Sequence, residues 1–293
     1  MNETYYRSNN EKTGWQSARD FLGEGILLDS VIKSTPETPS TQTDAKIAAR
    51  AGAPHGTVFV TDFQSAGRGR RDRVWIARPG LDLTFSVILR PEIEPRLAPL
   101  LNLAAALSVC RAVGDFFTEP RAVSIKWPND VLARGKKICG IICETAGGVE
   151  KPGWAVLGIG LNVNGTAADM PPDAPDKPEA ASMFMECGRL FHLPELLGRV
   201  LTCLDEYTRL IGSEGDRARL LSLYGENCST LGSGVKVITD EGEFFGTASG
   251  IEDDGAITVT DSEGHAATFR AADVVHLRSL GMFENSSQDR QRA

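Results

Sequence analysis

The sequence is poor in the residues that build metal centres and disulfide frameworks. It contains four histidines and six cysteines among 293 residues. No two cysteines form a C-x-x-C pair, and no histidine joins them at the spacing of zinc ligands. No plausible Cys–His or Ser–His pair for nucleophilic catalysis is evident either. We therefore expect no resident metal ion, no disulfide framework and no protein nucleophile.

Positive charge is also in short supply. The 31 lysines and arginines are outnumbered by 39 aspartates and glutamates, which gives a formal net charge of -8. This balance disfavours a general nucleic-acid binder, which would show a basic excess. The first residues contain no apolar run of the signal-peptide type, and no stretch of about 18 apolar residues is long enough to span a bilayer. We expect a reduced, cytoplasmic protein that binds neither DNA nor membranes.

The length and a change of period predict two folded units. A chain of 293 residues can form one large domain and a small one, each with its own core. Beyond about residue 230, apolar and polar residues alternate between closely spaced turn signals, which predicts about five short strands. We predict a polar, loosely held segment at 1–24, an α/β domain at 25–228, a small β-barrel at 229–281 and a disordered tail at 282–293.

Hydrophobic periodicity and turn residues predict the individual elements of the α/β domain. Strands are predicted at 25–32, 56–64, 81–91 and 122–130, and as two neighbouring central strands in KKICGIICETAG and GWAVLGIGLNVNG. Helices are predicted at about 42–52, at 97–117 and within 181–226, with a Pro/Asp/Ala loop at 165–180.

The most unusual stretch is QSAGRGRRDRVW at 64–75, which places four arginines between positions 68 and 73. Glycines at 67 and 69 allow unusual dihedral angles and a close approach of a ligand to the backbone. Arginine supplies planar pairs of donors for carboxylate or phosphate oxygens. The loop is therefore suited to closing over a small anion, although a solvated basic turn or an RNA contact is an equal alternative for the loop alone.

Three further stretches add polar residues near predicted strand ends, where α/β proteins gather ligands. Lys126, Asn129 and Asp130 belong to KWPND, Lys137 precedes the strand in KKICGIICE, and Asn162 follows the glycines of GIGLNVN. Taken alone, KWPND is more often a structural turn, and GIGLNVN is more often a core strand with an asparagine turn.

Together these stretches resemble the biotin–protein ligase family. The resemblance rests on the order S-T-Q, Q-x-x-G-R-G-R-R-x-R-x-W, K-W-P-N-D, K-x-x-G-I-x-x-E and G-I-G-x-N-V-N, and it covers about residues 25–281. It implies a mixed-sheet α/β (α+β) catalytic domain related to class II aminoacyl-tRNA synthetases, followed by an SH3-like C-terminal β-barrel. It also implies ATP-dependent formation of biotinyl-5'-adenylate and transfer of biotin to a lysine of a biotin carboxyl carrier protein or domain.

The resemblance assigns expected roles to individual residues. Lys137, Arg70 and Arg68 are implied as catalytic, because Lys137 contacts the biotin carboxylate and the α-phosphate and the arginines close over the adenylate. The biotin site is implied to comprise Ser40, Thr41, Gln42, Gln64, Arg68, Gly69, Arg70 and Lys137. The ATP site is implied to comprise Arg70, Arg71, Arg73, Trp75, Lys126, Asn129 and Asn162, with Mg²⁺ accompanying the nucleotide.

Two departures from the family pattern affect these expectations. Asp72 stands where the family usually has glycine, which reduces the charge of the loop and bears on its affinity rather than on the reaction. Some family members also carry an N-terminal DNA-binding domain. Only 39 mostly polar residues precede Ser40 here, so we expect the monofunctional type without that domain.

Two alternatives stay open from the residues. The first is a lipoate–protein or octanoate–protein ligase, which shares the core fold but should lack the arginine loop and KWPND. The second alternative is a non-catalytic biotin-sensing regulator. The sequence does not name the acceptor carboxylase, and it leaves monomer and homodimer equally open.

Overall fold

A computed structural model describes residues 14–24, 26, 31–70, 73–147, 152–172, 178–239, 241–270 and 272–277. Within these described residues, twelve strands form two sheets. The strands are β1 Val31–Thr38, β2 Thr57–Gln64, β3 Asp82–Leu89, β4 Val123–Lys126, β5 Asp130–Ala133, β6 Lys136–Gly147, β7 Pro152–Asn162, β8 Gly234–Thr239, β9 Gly242–Ile251, β10 Ile257–Thr260, β11 Ala266–Phe269 and β12 Asp273–His276. The α-helices are α1 Thr41–Arg50, α2 Pro99–Gly114, α3 Met183–Cys187, α4 Leu193–Arg209 and α5 Glu214–Asn227, and 3₁₀ helices occupy Trp15–Phe21, Pro95–Leu97 and Ala167–Asp169.

The larger sheet has seven strands in the order β1-β2-β3-β7-β6-β5-β4. Only β1 and β2 run parallel, and the remaining neighbours are antiparallel. One face packs against α2, which is buried on nearly every side, while α1 packs against the other face. Because a strand's side chains alternate between faces, α1 and the polar residues of β3 share the face opposite α2.

The smaller sheet has five antiparallel strands in the order β11-β10-β9-β8-β12. Its buried residues, including Val235, Val237 and Ile257, join the same apolar core as α2 and the larger sheet. The backbone N–H of Ser229 donates to the carbonyl of Ile125 at 2.8 Å, which ties the start of this sheet to β4. The predicted mixed-sheet fold with a C-terminal all-β unit is confirmed, while closure of that unit as an SH3-like barrel stays a prediction.

Four predictions about elements differ from the structure. The first described strand runs to residue 38, beyond the predicted end at 32, while residues 25 and 27–30 of the predicted strand lie outside the described part of the chain. It is an edge strand with four exposed residues among eight and a proline, so it lacks the apolar pattern of a buried strand. The short strand β5 was not predicted, because its hairpin with β4 begins inside the KWPND turn.

Residues 14–24, the described part of the segment predicted to be loosely held, contain a packed 3₁₀ helix. Trp15 is 8% exposed, and its indole N–H donates to Asp62 at 2.9 Å. Residues 1–13 and the predicted tail at 282–293 lie outside the described residues.

The fourth difference concerns hydropathy. The helical segment at residues 95–114 is long and apolar enough to cross a membrane, contrary to our expectation. However, 72% of its most apolar 18-residue stretch is buried inside the protein, as in a core helix.

A histidine at the junction between the two sheets makes stability depend on pH. Burial and the nearby charge of Lys126 lower the pKa of His276 from 6.5 to about 4. Its ring Nε2 lies 2.9 Å from Thr230 Oγ1, which in turn accepts the backbone N–H of Trp127 at 2.9 Å. The folded protein therefore holds a neutral His276 next to the KWPND turn.

We expect the free energy of unfolding to fall as pH drops from about 6.5 to about 4, by at most about 3 kcal/mol from this residue. The unfolded chain binds a proton in that range while the folded chain does not, so acid favours unfolding. Urea unfolding of wild type and His276→Gln at pH 7, 6, 5 and 4 measures the effect. An equal decline in both proteins would show that His276 is not its source.

Candidate active site

The floor of the candidate site is a row of small residues across the larger sheet. Thr84 pairs with Gly160, Gly160 with Gly140 and Gly140 with Asp130, which aligns positions from β3, β7, β6 and β5. A parallel row joins Ser86, Gly158 and Ile142. Glycines at the centre leave a depression that larger side chains would fill.

This depression is the base of a cavity of about 430 Å³. Its walls come from the start of α1, the arginine loop, the KWPND turn and the smaller sheet, together with Pro171, Pro172, Pro178 and Ala180. This volume falls in the range of small-ligand sites.

Hydrogen-bonding groups line the end of the cavity beside α1. Gln64, at the end of β2, accepts the backbone N–H of Thr41 at 2.8 Å and the hydroxyl of Thr41 at 3.1 Å. Thr41 Oγ1 lies 2.9 Å from Ser86 Oγ, and Ser86 donates to Gln42 Oε1 at 3.1 Å. Ser40, the N-cap residue of α1, is 3% exposed. This end therefore offers a fixed set of neutral donors and acceptors.

The arginine loop folds back on itself beside this end. Arg68 and Val74 form an isolated bridge, and Trp75 N–H donates to the carbonyl of Gly67 at 3.0 Å. A Cβ at Gly67 would lie 2.4 Å from the Trp75 carbonyl oxygen, so this close approach requires glycine. Neither Gly67 nor Gly69 has a positive φ. The loop glycines therefore serve close packing at position 67 rather than unusual dihedral angles.

The Trp75 side chain covers the glycine row. A Cβ on Gly160 would lie 2.3 Å from the indole, and a Cβ on Gly140 would lie 3.1 Å from it. The indole Nε1 is buried without a hydrogen-bond partner among the described residues. An unsatisfied buried donor has a free-energy cost, so a ligand that accepts this N–H would relieve it.

The KWPND turn forms the opposite wall. Lys137 Nζ lies 2.6 Å from Asp130 Oδ1 and 3.4 Å from where a Cβ on Gly140 would stand, which places the ammonium over the glycine row. Arg70 Nη1 donates to Asn129 Oδ1 at 3.0 Å, and Asn129 donates to the carbonyl of Ile141 at 2.7 Å. The loop and the turn are thus already in contact.

A buried cluster closes the third side, in which the predicted Asn162 joins Arg78 and Asp82, two residues that the motifs did not indicate. Arg78 Nε lies 2.8 Å from Asp82 Oδ2, and Arg78 Nη2 donates to Asn162 Oδ1 at 2.9 Å. Asn162 also donates to the carbonyl of Ala181 at 2.9 Å. Both ends of the Asn162 amide are therefore bonded to protein, which gives it a positioning role in this structure.

The smaller sheet contributes a fourth side. Ala272, Val274, Val275 and Ile238 line the cavity, and Arg70 Nη2 donates to the carbonyl of Ala272 at 3.5 Å. No motif indicated these residues, because they contribute backbone groups and ordinary apolar side chains.

All the predicted site residues except Arg71 line this cavity, and Arg71 and Asp72 lie outside the described residues. Six cationic side chains in the lining face one carboxylate, that of Asp130, within the described part of the chain. The cationic residues are Arg68, Arg70, Arg73, Arg78, Lys126 and Lys137. Such an enclosed excess of one charge attracts anions, even in a protein of net charge -8.

Among the described residues, the lining contains neither histidine nor cysteine. Burial raises the pKa of Cys139, beneath the sheet, well above its usual value. The cavity is therefore equipped to bind and polarise two anionic groups, and its described lining offers no activated nucleophile.

Comparisons with known proteins agree with this geometry. Residues 32–162 match the model of the biotin/lipoate A/B protein ligase family, and residues 230–277 match that of the biotin protein ligase C terminal domain. A biotin–[acetyl-CoA-carboxylase] ligase of Mycobacterium tuberculosis is 35% identical over 246 residues, covering 83% of this chain and 87% of the relative. A bifunctional ligase/repressor BirA of Bacillus spizizenii is 33% identical over 248 residues, covering 84% of this chain and 72% of the relative.

Among solved structures, the biotin protein ligase from Aquifex aeolicus in complex with biotin and ATP superposes with a TM-score of 0.70. It is 26% identical and covers 85% of this chain and 100% of that chain.

Proposed function

Because this chain belongs to the biotin/lipoate A/B protein ligase family, we propose that its central cavity joins the carboxylate of biotin to ATP. The protein is a biotin–protein ligase: it activates biotin as biotinyl-5'-adenylate and transfers it to a lysine of an acceptor protein. The observation that carries the proposal is the position of the cationic groups, over the glycine row and beside the neutral hydrogen-bonding end.

The choice of biotin over lipoate or octanoate is supported by two features. The chain carries the C-terminal domain found in biotin protein ligases, and that domain lines the cavity. Thr41, Gln42, Gln64 and Ser86 form a polar end that suits the cyclic urea of biotin, whereas a lipoyl or octanoyl chain ends in apolar groups.

The reaction brings two anions together. A biotin carboxylate oxygen attacks the α-phosphorus of ATP, an α-phosphate P–O bond breaks and pyrophosphate leaves with that electron pair. We assign Lys137 to the carboxylate and the α-phosphate, and Arg68 and Arg70 to the closed loop above them. Cations fixed before the reaction stabilise the negative charge that develops in the transition state.

Transfer then requires an amine from outside the protein. The acceptor lysine attacks the adenylate carbonyl carbon, the bond to AMP breaks, and the amine loses its proton. We propose that the arginine loop keeps water from the anhydride until the acceptor arrives. Arg73, Trp75, Lys126 and Asn129 are proposed for the nucleotide, and Asn162 for positioning Arg78.

Magnesium is proposed as part of the MgATP substrate. Within the described residues, no group of three or more His, Cys, Asp or Glu side chains could hold a metal ion. Magnesium commonly binds substrate phosphates while keeping several waters, so the chain does not need a cage for it.

A reduced, cytoplasmic location is also proposed. It is supported by six free cysteines and by the acetyl-CoA carboxylase that the name of the mycobacterial relative mentions.

The direct test is incubation with biotin, MgATP and a purified biotin carboxyl carrier domain, read by intact mass. We expect the carrier to gain the mass of one biotinyl group at a single lysine, and lipoate not to replace biotin. Lipoylation of a lipoyl domain without biotinylation of the carrier would contradict the assignment.

Arg70 connects the loop to its surroundings, so its loss should release the intermediate. Arg70→Gly removes the bonds to Asn129 and Ala272 and adds backbone freedom, which lowers the population of the closed loop. We expect adenylate to form but to escape, so that bystander proteins such as serum albumin become biotinylated. Retention of the adenylate for as long as in wild type would contradict a lid role for Arg70.

A further inference from the structure

One glutamate of the sequence motif K-x-x-G-I-x-x-E has no role in the reaction described above. Glu144 lies on β6, and its side chain is 44% exposed at the border of the cavity. Its two carboxylate oxygens have separate partners: Lys46 Nζ lies 2.8 Å from Oε1, and Gln42 Nε2 donates to Oε2 at 2.8 Å. Gln42 and Lys46 are four residues apart on α1, so one face of that helix presents both groups to Glu144.

Gln42 is the link from Glu144 to the cavity. Gln42 is 4% exposed, and its Nε2 donates both to Glu144 and to the carbonyl of Val156 at 3.1 Å. Both partners are acceptors only, because a carboxylate and a carbonyl have no proton to donate. The amide can therefore take only one of its two orientations, with Oε1 directed to Ser86.

This orientation of the Gln42 amide determines the direction of its hydrogen bond with the Ser86 hydroxyl. Since Gln42 Oε1 cannot donate, the hydrogen bond at 3.1 Å between the two side chains takes its proton from Ser86. With that bond formed, the Ser86 oxygen can only accept, either from Thr41 Oγ1, 2.9 Å away, or from a ligand. The floor beside α1 therefore presents hydrogen-bond acceptors, and it favours a ligand that brings N–H donors.

Space around the amide is equally restricted. A Cβ on Gly158 would lie 2.5 Å from Gln42 Oε1, so glycine at this position is needed for the observed amide placement. Burial opposes ionisation of Glu144, but hydrogen bonds from Lys46 and Gln42 outweigh it and lower the pKa of this carboxyl below its usual value. The charge of Arg68 acts in the same direction. Glu144 thus stays an acceptor.

We propose that Glu144, held by Lys46, is a positioning residue for the biotin site. Through Gln42 and Ser86 it orients the groups around the ureido ring of biotin so that they accept hydrogen bonds. The inference rests on the proposed function, because it takes biotin as the ligand. It makes specificity for a cyclic urea depend on an ion pair at the border of the cavity.

Glu144→Gln tests the role of the charge. A glutamine here has an N–H₂ group that must face either Lys46 or the Gln42 amide, so the fixed orientation is lost. We expect the KM for biotin, and the Kd for biotin measured by calorimetry, to rise by about 10- to 100-fold, as for loss of a hydrogen bond to a charged group. The KM for ATP and the kcat at saturating biotin should change little.

Glu195→Gln is a matched control. It breaks a partly exposed ion pair with Arg199 at 3.0 Å on α4, and neither residue lines the cavity. It should leave the KM for biotin unchanged. A rise in Glu144→Gln of no more than about twofold would overturn the inference.

Exchanging the charges of Lys46 and Glu144 distinguishes a role in positioning Gln42 from a role in stabilising the fold alone. The double variant Lys46→Glu/Glu144→Lys restores an ion pair, but a lysine at 144 cannot accept from Gln42 Nε2. The amide then keeps only the Val156 carbonyl as an acceptor, and its orientation is no longer fixed from both sides. We expect the melting temperature to recover relative to Glu144→Gln, while the Kd for biotin stays at least about tenfold above that of wild type. Recovery of both quantities would show that the pair only stabilises the fold.

Ligand analogues give a second readout. In the two cyclic carbamates of biotin, a ring oxygen replaces one or the other ureido N–H. This oxygen would face the hydrogen-bond acceptors beside α1 without a proton to donate. Wild type should discriminate against at least one of them, because an acceptor facing an acceptor leaves both unsatisfied. In the exchanged variant this preference should shrink by at least about tenfold, since Gln42 has lost the charged acceptor that holds its amide in one orientation.

Desthiobiotin keeps both N–H groups and serves as the shape control, so its ratio to biotin should stay constant. Unchanged discrimination between biotin and both carbamates would overturn the inference. The proposed function itself is judged on wild type alone: if wild type releases pyrophosphate with biotin and the variants behave like it, only the role of Glu144 fails.

Discussion

Replacing Lys137 by alanine is expected to slow biotin-dependent pyrophosphate release by about 10²–10³-fold or more, the usual loss when one preorganised electrostatic contact is removed. The ammonium of Lys137 lies over the glycine row, 2.6 Å from Asp130, in the lining of the cavity. Transfer from chemically prepared biotinyl-adenylate should suffer much less, because the bond to the α-phosphate is already formed.

Lys126→Ala is the matched comparison within the same cavity. Lys126 is 8% exposed at the end of β4 and precedes Trp127, whose backbone and indole N–H groups bond to Thr230 and Gly255. We expect its loss to weaken nucleotide binding more than the chemical step. Rapid-quench measurement of adenylation and of transfer in both variants tests which lysine acts in the chemical step. A larger adenylation loss for Lys126→Ala, or equal losses in both half-reactions for Lys137→Ala, would reverse the assignment.

Gly160→Ala is expected to lower kcat/KM for biotin by about 10- to 100-fold, as overpacking in a filled site costs on the order of 1–3 kcal/mol. The added Cβ would lie 2.3 Å from the Trp75 indole. Because the strand is central in the sheet, the indole must move, and the arginine loop moves with it. Steady-state kinetics with biotin as the varied substrate measure the loss.

The double variant Gly160→Ala/Trp75→Ala shows whether the clash is the cause. Removing the indole makes room for the methyl group, so the second substitution should cost less in the Gly160→Ala background than in wild type. Gly215→Ala in α5 is the control, since a Cβ there meets no atom within 4 Å. If the losses in kcat/KM from the two substitutions were strictly additive, a clash between the methyl group and the indole would not be the cause.

The site could be predicted from the sequence where its residues come in ordered motifs. The arginine loop, KWPND and Lys137 are separated along the chain, but each lies next to a strand with a recognisable apolar pattern. Those strands bring them together, because β5 and β6 pair beside β7. The resemblance to one family supplied the roles, which the residues alone left open between an anion site and a solvated loop.

Other parts of the site leave no signal in the sequence. Arg78 and Asp82 form their buried pair because a turn between the arginine loop and β3 brings them together, and an arginine and an aspartate four residues apart are not distinctive in a sequence. Ala272 contributes its backbone carbonyl to Arg70, which no side-chain pattern can indicate. The edge strand β1 carries polar side chains and a proline, so its position depends on pairing with β2 rather than on its own composition.

The most direct test of the account is exchange of labelled pyrophosphate into ATP by the wild-type protein in the absence of any acceptor. Exchange requires reversible attack of a carboxylate on the α-phosphate within one site. We expect exchange that depends on biotin and magnesium, that is not supported by lipoate or octanoate, and that falls by about 10²–10³-fold in Lys137→Ala. Exchange without biotin, or equal exchange with lipoate, would contradict the claim that this cavity activates biotin.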